Sequence, residues 1–344
     1  MDVVRKIAQE NNLITMTEVE RTKIAPDLEI CRIINGMWQT AGGHGQIDAD
    51  AAISDMMQYH TAGFTTWDMA DIYGPAEILF GKFKQKVEEQ EIQGLTKFVP
   101  SPGTMSESIV QHNIERAMQR MRVKSIDLVQ FHWWDYNDEN FVRALENLTK
   151  MKQEGKIRYI GLTNFNTEIT RKIIDKGFSV ISHQVQYSIL DQRPERLMIP
   201  LCNKHEIKIL AYGTLLGGFL SEKYLNAPEP VRADLDTLSL QKYKNMIDAW
   251  GGWKRFQELL SCLKKIAMKH NSSISNIALK FILDKPAVSG VIVGTRLGIS
   301  EHRVENAKVF GLNLDKEDLD QINEVVTKSN DLIDVIGDCG DEYR

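Results

Sequence analysis

Short apolar runs alternate with longer amphipathic stretches along almost all of this 344-residue chain, and that alternation limits the possible folds more than any other feature. Candidate strands are Arg32–Ile34, Thr65–Trp67, Gly94–Phe98, Ile126–Phe131, Ile157–Leu162, Ile181–Gln186, Ile207–Tyr212 and Gly290–Val293. Helical spacing fills the gaps between them. In Ser106–Arg122 the apolar residues Val110, Ile114, Ala117 and Met121 recur at four, three and four. In Asn140–Gln153, Phe141, Leu145, Leu148 and Met151 recur at four, three and three. Gly155 supplies a stop after the second of these helices. Strands that are each followed by helical or loop sequence argue for parallel βα units. Eight of them over this length argue for an α/β fold closed as a (β/α)8 TIM barrel. The competing architecture, an open doubly wound sheet, normally carries a glycine-rich nucleotide turn after its first strand. Here that turn reads Asn35-Gly36-Met37-Trp38, and G-x-G-x-x-G occurs nowhere.

Three segments lie outside the eight units. Thr17–Lys23 and Leu28–Ile30, on either side of Ala25-Pro26-Asp27, read as a β-hairpin ahead of the barrel. Leu220 to Trp253 reads as a long irregular loop, and loops of that length usually serve a function. Asp315 is placed to cap an extra C-terminal helix whose inner face carries Leu319, Ile322 and Val326. One barrel domain is expected over residues 1–344, with loose termini at about 1–15 and 331–344.

Composition narrows the function classes. The net charge is -5 with both signs intermixed, so nothing resembles the concentrated basic face that nucleic acid requires. Cys31, Cys202, Cys262 and Cys339 show no C-x-x-C and no paired spacing, which argues against a disulfide framework or a zinc site and for a reducing compartment. No apolar run has membrane-spanning length, and Met1 to Thr15 lacks the apolar core of a secretory signal. A cytoplasmic location, or an organellar one after removal of a transit peptide, is the expectation.

In a barrel of this kind, polar residues at the C-terminal ends of strands are the catalytic candidates. The second strand runs into Asp68-Met69-Ala70-Asp71-Ile72-Tyr73-Gly74, the third contains Thr96-Lys97-Phe98, and the fourth ends Gln130-Phe131-His132-Trp133-Trp134. Each polar residue has an ordinary explanation: Asp68 as a helix cap, Tyr73 as rim, Lys97 as a solvated amine, His132 as a satisfied core histidine. An acid, a phenol, an amine and an imidazole at three consecutive strand ends favour a shared chemical role. No His/Cys/Asp cluster at ligand spacing accompanies them, so no metal is expected.

The set Asp68-x-Ala70-x-x-Tyr73-Gly74, Thr96-Lys97 and Asp127-Leu128-x-x-x-His132 resembles the active-site pattern of the aldo-keto reductases, in order and in spacing. The resemblance runs from the hairpin to the final helix. It implies an NADPH-dependent oxidoreductase that reduces a small-molecule aldehyde or ketone. Tyr73 would be the proton donor, its phenol pKa lowered by Lys97, with Asp68 holding the lysine. His132 would donate a hydrogen bond to the substrate oxygen.

For the cofactor, the resemblance assigns Thr163, Asn164 and Gln184 to the carboxamide and Tyr212 to stacking on the nicotinamide. Gly36, Met37, Gly213, Leu215 and Gly217 line the dinucleotide. Gly294, Arg296, His302, Glu305 and Asn306 form the pyrophosphate, 2′-phosphate and adenine segment. Gly294 stands where some members carry lysine, and His302 where many carry arginine. Trp38, Trp133 and Trp134 would wall the substrate pocket. The loop Leu220–Trp253, with Tyr224, Tyr243 and Trp250, would cover it. A nucleotide-binding regulatory subunit of the same fold, like the potassium-channel β subunits, is the alternative.

Overall fold

The structure, a computed structural model, describes residues 18–42, 47–87 and 91–343. Two short strands come first, β1 (Arg21–Ala25) and β2 (Leu28–Cys31), paired antiparallel. Eight further strands close into a barrel: β3 (Ile33–Gly36), β4 (Thr66–Asp68), β5 (Gln93–Phe98), β6 (Ile126–Phe131), β7 (Ile157–Thr163), β8 (Ser182–Gln186), β9 (Lys208–Tyr212) and β10 (Val288–Gly294). Neighbouring strands are parallel throughout, and β10 pairs with both β9 and β3 to complete the circle. The expected barrel and hairpin are both present, with strand ends shifted by at most four residues, the largest shift being at the start of β1. Thr17 lies outside the described residues.

Alternation along the strands sorts their side chains. One set of positions carries Ile34, Leu95, Leu128 and Leu210, which pack with Ile24, Leu28 and Ile30 of the hairpin as a small separate apolar cluster. The hairpin thus seals the end of the barrel where the strands begin. Its turn is fastened there by Arg158, which donates to the Asp27 carbonyl at 2.7 Å, and its first strand by Arg21, which donates to Thr65 and Gln93 at 2.7 and 3.0 Å. Two residues further along the same strands stand Gly36, Lys97, Gln130 and Tyr212. The change from leucine to polar residues on one inward face is what turns a packed core into a site.

The outer helices are α1 (Ala49–Thr61), α2 (Ala76–Lys84), α3 (Glu107–Met121), α4 (Asn140–Gln153), α5 (Thr167–Asp175), α6 (Met198–Lys204), α7 (Leu238–Trp250), α8 (Gly252–Lys269), α9 (Ile274–Leu283), α10 (Arg303–Ala307), α11 (Lys316–Val326) and α12 (Leu332–Ile336). Side-chain caps start many of them. Ser106 accepts from the Ile109 N–H ahead of α3, and Asp315 forms a reciprocal capping box with Asp318 at α11.

Two expectations are corrected. The stretch Leu220–Trp253 is not an irregular loop throughout, because it contains α7, whose Leu240, Tyr243, Ile247 and Trp250 are buried. The tail from Asp331 to Tyr343 is not loose. Asp331 caps α12, Leu332 and Cys339 are buried, and the segment Asp341–Tyr343 forms a single 3-10 turn against the barrel. No described helix is long and apolar enough to cross a membrane.

Candidate active site

Asp68, the last residue of β4, and Lys97 of β5 lie side by side and are 2% and 5% exposed. Lys97 Nζ donates to Asp68 Oδ2 at 2.5 Å and to the Met69 carbonyl at 3.1 Å. The same ammonium lies 4.8 Å from the centroid of the Tyr73 ring, and Trp38 packs edge-on against that ring at 5.0 Å. A buried ammonium is costly unless paired. Burial lowers the Lys97 pKa, and the Asp68 carboxylate works in the opposite direction.

The phenol differs from expectation. Burial, with the negative charge of Asp68 next in size, pushes Tyr73 well above the ordinary range rather than below it. Tyr73 therefore holds its proton firmly at neutral pH, the protonation state that a donor needs.

His132 follows β6 and is 3% exposed, and its Nδ1 lies 3.1 Å from the carbonyl oxygen of Thr163. A carbonyl only accepts, so Nδ1 carries the proton of that bond. In a neutral ring Nε2 is then an acceptor. The expected donation to a substrate oxygen requires a ring protonated on both nitrogens.

The three tryptophans separate. Trp134 is 39% exposed and stands edge-on to His132 with ring centroids 4.3 Å apart. Trp133 points the other way, fully buried beside Phe131, with its indole N–H on the Asp138 carbonyl. Trp38 and Trp134 thus stand beside the tetrad and Trp133 in the core. In the covering segment, Tyr243 reaches the Gly213–Gly217 turn, whereas Trp250 is core and Tyr224 packs on Phe219.

Four of the residues assigned to the nicotinamide end are grouped around β7, β8 and β9. Asn164 adopts a left-handed conformation (φ 56), which asparagine tolerates, and its side-chain oxygen accepts from the Tyr212 hydroxyl at 2.9 Å. The Thr163 hydroxyl oxygen is buried with no hydrogen-bond partner among the described residues. Gln184 donates to Asp68 Oδ1 at 2.8 Å and to Gln130 Oε1 at 2.7 Å.

The turn after β9 has positive φ at Gly213 and Gly217, and a Cβ at Gly213 would come within 2.4 Å of the Tyr243 hydroxyl, so a larger residue is excluded there. Leu215 is partly buried in the same turn, and Met37 is fully buried after β3. Gly36 and Gly294 face each other in register across β3 and β10. Arg296 and His302 are exposed beyond β10, Glu305 accepts from Asn276, and Asn306 is buried in α10.

Residues 32–327 match the model of the Aldo/keto reductase family. The chain belongs to this family. Among curated relatives, it is 23% identical over 322 residues to the NADH-specific methylglyoxal reductase of Escherichia coli (strain K12), covering 87% of this chain and 95% of that one. It is 30% identical over 257 residues to flagellar radial spoke protein 5 of Chlamydomonas reinhardtii, covering 62% of this chain. The matches span about half the length of the first relatives, 49% of the spoke protein and 56% of the uncharacterized oxidoreductase YqkF of Bacillus subtilis (strain 168). Among solved structures, the glycerol dehydrogenase from Gluconobacter oxydans superposes with a TM-score of 0.73 at 21% identity, over 93% of this chain and 97% of that one, a likeness of fold.

Two parts of this aldo/keto reductase site escaped sequence reasoning. Gln130 is fully buried beside Asp68, and its signal was a polar residue at an inward position, two after Leu128 and two before His132. The C-terminal turn also reaches the mouth. The Tyr343 hydroxyl lies 2.9 Å from that of Tyr212, Lys242 of α7 donates to it, and the rings of Tyr343 and His132 are 6.3 Å apart.

Proposed function

We propose that this aldo/keto reductase reduces an aldehyde or ketone to an alcohol, reversibly, with NADPH as cofactor and Tyr73 as the proton donor. The observation that carries the reading is the buried Asp68–Lys97 pair lying under the Tyr73 ring at the strand-end mouth of the barrel. The cofactor suits the residues present. The buried Thr163 hydroxyl lacks a partner among the described residues, and the carboxamide would supply one. Thr163, Asn164 and Gln184 would hold the carboxamide, Tyr212 the ring, and Gly36, Met37, Gly213, Leu215, Gly217 and Gly294 the dinucleotide backbone. Arg296, His302, Glu305 and Asn306 would hold the adenosine end. When bound, the nicotinamide supplies the hydride.

The chain's own residues do the rest. A substrate carbonyl beside Trp38 and Trp134 would place its oxygen toward Tyr73 and His132. Tyr73 gives its proton to that oxygen as negative charge develops, and the Lys97 ammonium stabilises the phenolate left behind. His132 adds a second donor only when its Nε2 is protonated. The four free cysteines, three of them buried, suit a reducing compartment, and we place the protein in the cytoplasm. The preference for NADPH rests on the exposed Arg296, whose guanidinium suits a phosphate.

A screen for NADPH consumption against aldehydes, sugars and quinones tests the proposal, and turnover of at least one class is the expected result. The match to a flagellar spoke protein favours a second reading, a nucleotide-binding subunit of a larger assembly. Tight nucleotide binding with no turnover across the panel would select it.

A further inference from the structure

Asp68 is satisfied from two sides. Its Oδ2 takes the Lys97 ammonium, while Oδ1 accepts from both Gln130 Nε2 and Gln184 Nε2 at 2.8 Å. Gln184 Nε2 also donates to Gln130 Oε1 at 2.7 Å. A carboxylate only accepts, so both amides must turn their nitrogens toward it, and the triangle fixes both orientations. Both N–H groups of Gln184 are thereby committed, and only its carbonyl oxygen is left for a ligand. Gln130 is fully buried in β6.

We propose that Gln130 is a positioning residue of the proton-transfer unit: it holds Asp68 as the charged partner of Lys97. The proposal rests on the reading of Tyr73 as proton donor. A buried ion pair keeps its charges only when the remaining lone pairs are satisfied. Neutral donors on Oδ1 favour the carboxylate over the acid, and the carboxylate in turn keeps Lys97 an ammonium against the cost of burial. The titratable groups that face this unit are Lys97 of β5, Asp71 and Tyr73 after β4, His132 after β6, Tyr243 of α7 and Tyr343 of the tail. Among the residues donating to Asp68, Gln130 is the one that meets neither the solvent nor, on this reading, substrate or cofactor.

Gln130→Met keeps the volume and removes both hydrogen bonds. In alcohol oxidation Tyr73 works as the phenolate. Weaker support for Lys97 should move the acid limb of the kcat profile up by about one pH unit, about a tenfold loss at a fixed pH on the limb. The Kd for NADP+, read by fluorescence quenching, should change less than about threefold, within ~0.7 kcal/mol. Gln184→Met should move the profile and also weaken NADP+ binding. Where the methionine variant does not fold, Gln130→Asn keeps an amide but is one methylene too short to reach Asp68, and the same shift is expected. Independently of turnover, the 13Cε signal of Lys97, assigned by its loss in Lys97→Met, should titrate at lower pH in the Gln130 variant than in the parent. An active parent with an unchanged profile in the variant, or an unchanged Lys97 titration, overturns the proposal. A parent inactive in both directions overturns the reading of function instead, and the Lys97 titration then decides the role of Gln130 alone.

Discussion

Two histidines of this barrel respond to protons in opposite senses. His132 gains a donor by protonation, because its Nδ1 already serves the Thr163 carbonyl. His183 of β8 loses by it. Its Nε2 accepts from the Phe165 N–H at 3.2 Å, the side chain is fully buried, and burial alone holds its pKa down to about 3. Below the unfolded value near 6.5 the unfolded chain binds a proton that the folded one refuses, so stability falls as pH falls from about 6.5 toward 3. From pH 6.5 to 4.5 that loss is about 2 kcal/mol for the one group. His183→Gln keeps a side-chain acceptor and should show less of this loss in urea melts at the two pH values. An equal loss in both proteins would remove His183 as the cause. Arg296 makes the other prediction at this scale. Arg296→Ala should weaken NADPH more than NADH, because only NADPH carries the phosphate that a guanidinium would pair. Equal weakening in binding titrations would show that Arg296 does not read the phosphate.

Helices and strands were legible to different degrees. β6 and α4 were read to the residue, since apolar spacing inside one element is a local signal. Helix α7 was also written in the sequence, as Leu240, Tyr243, Ile247 and Trp250 at three, four and three. Its surroundings, rich in proline and glycine, hid the pattern. The folded tail could not be read, because its partners are far away along the chain. Asp338 accepts from the Thr167 N–H at 2.6 Å, and Glu342 pairs at 3.1 Å with Arg193, which is buried against Asp191. An acidic tail read alone looks solvated. Here its charges meet a helix N-terminus and a buried guanidinium. Removing residues 332–344 takes one carboxylate and two carbonyl acceptors from Arg193 while Asp191 remains. The loss should be about 1–3 kcal/mol, seen as a lower melting temperature. An unchanged melting temperature would mean that the tail is not docked in solution.

At the scale of the molecule, the sequence allowed a closed barrel with one polar end, because hairpin, strands and helices each carried their own pattern. The tetrad was legible because it lies at consecutive strand ends. The support beneath it was not, because a buried glutamine such as Gln130 signals nothing until its neighbours in the adjacent strands are known. Nor did the sequence indicate that burial, rather than Lys97, dominates the Tyr73 phenol. The proposed chemistry therefore depends on one proton-transfer unit made of Tyr73, Lys97 and Asp68. Its direct test is the carbonyl reduction rate with saturating NADPH for Tyr73→Phe, Lys97→Met and the double variant, beside the parent. Loss of the proton donor should lower kcat by ~10²–10⁴-fold with cofactor binding little changed. Lys97→Met should also be slow, and the double variant should be about as slow as the worse single one, because both changes disable the same unit. Near-normal reduction by Tyr73→Phe, or losses that multiply fully in the double variant, would contradict it.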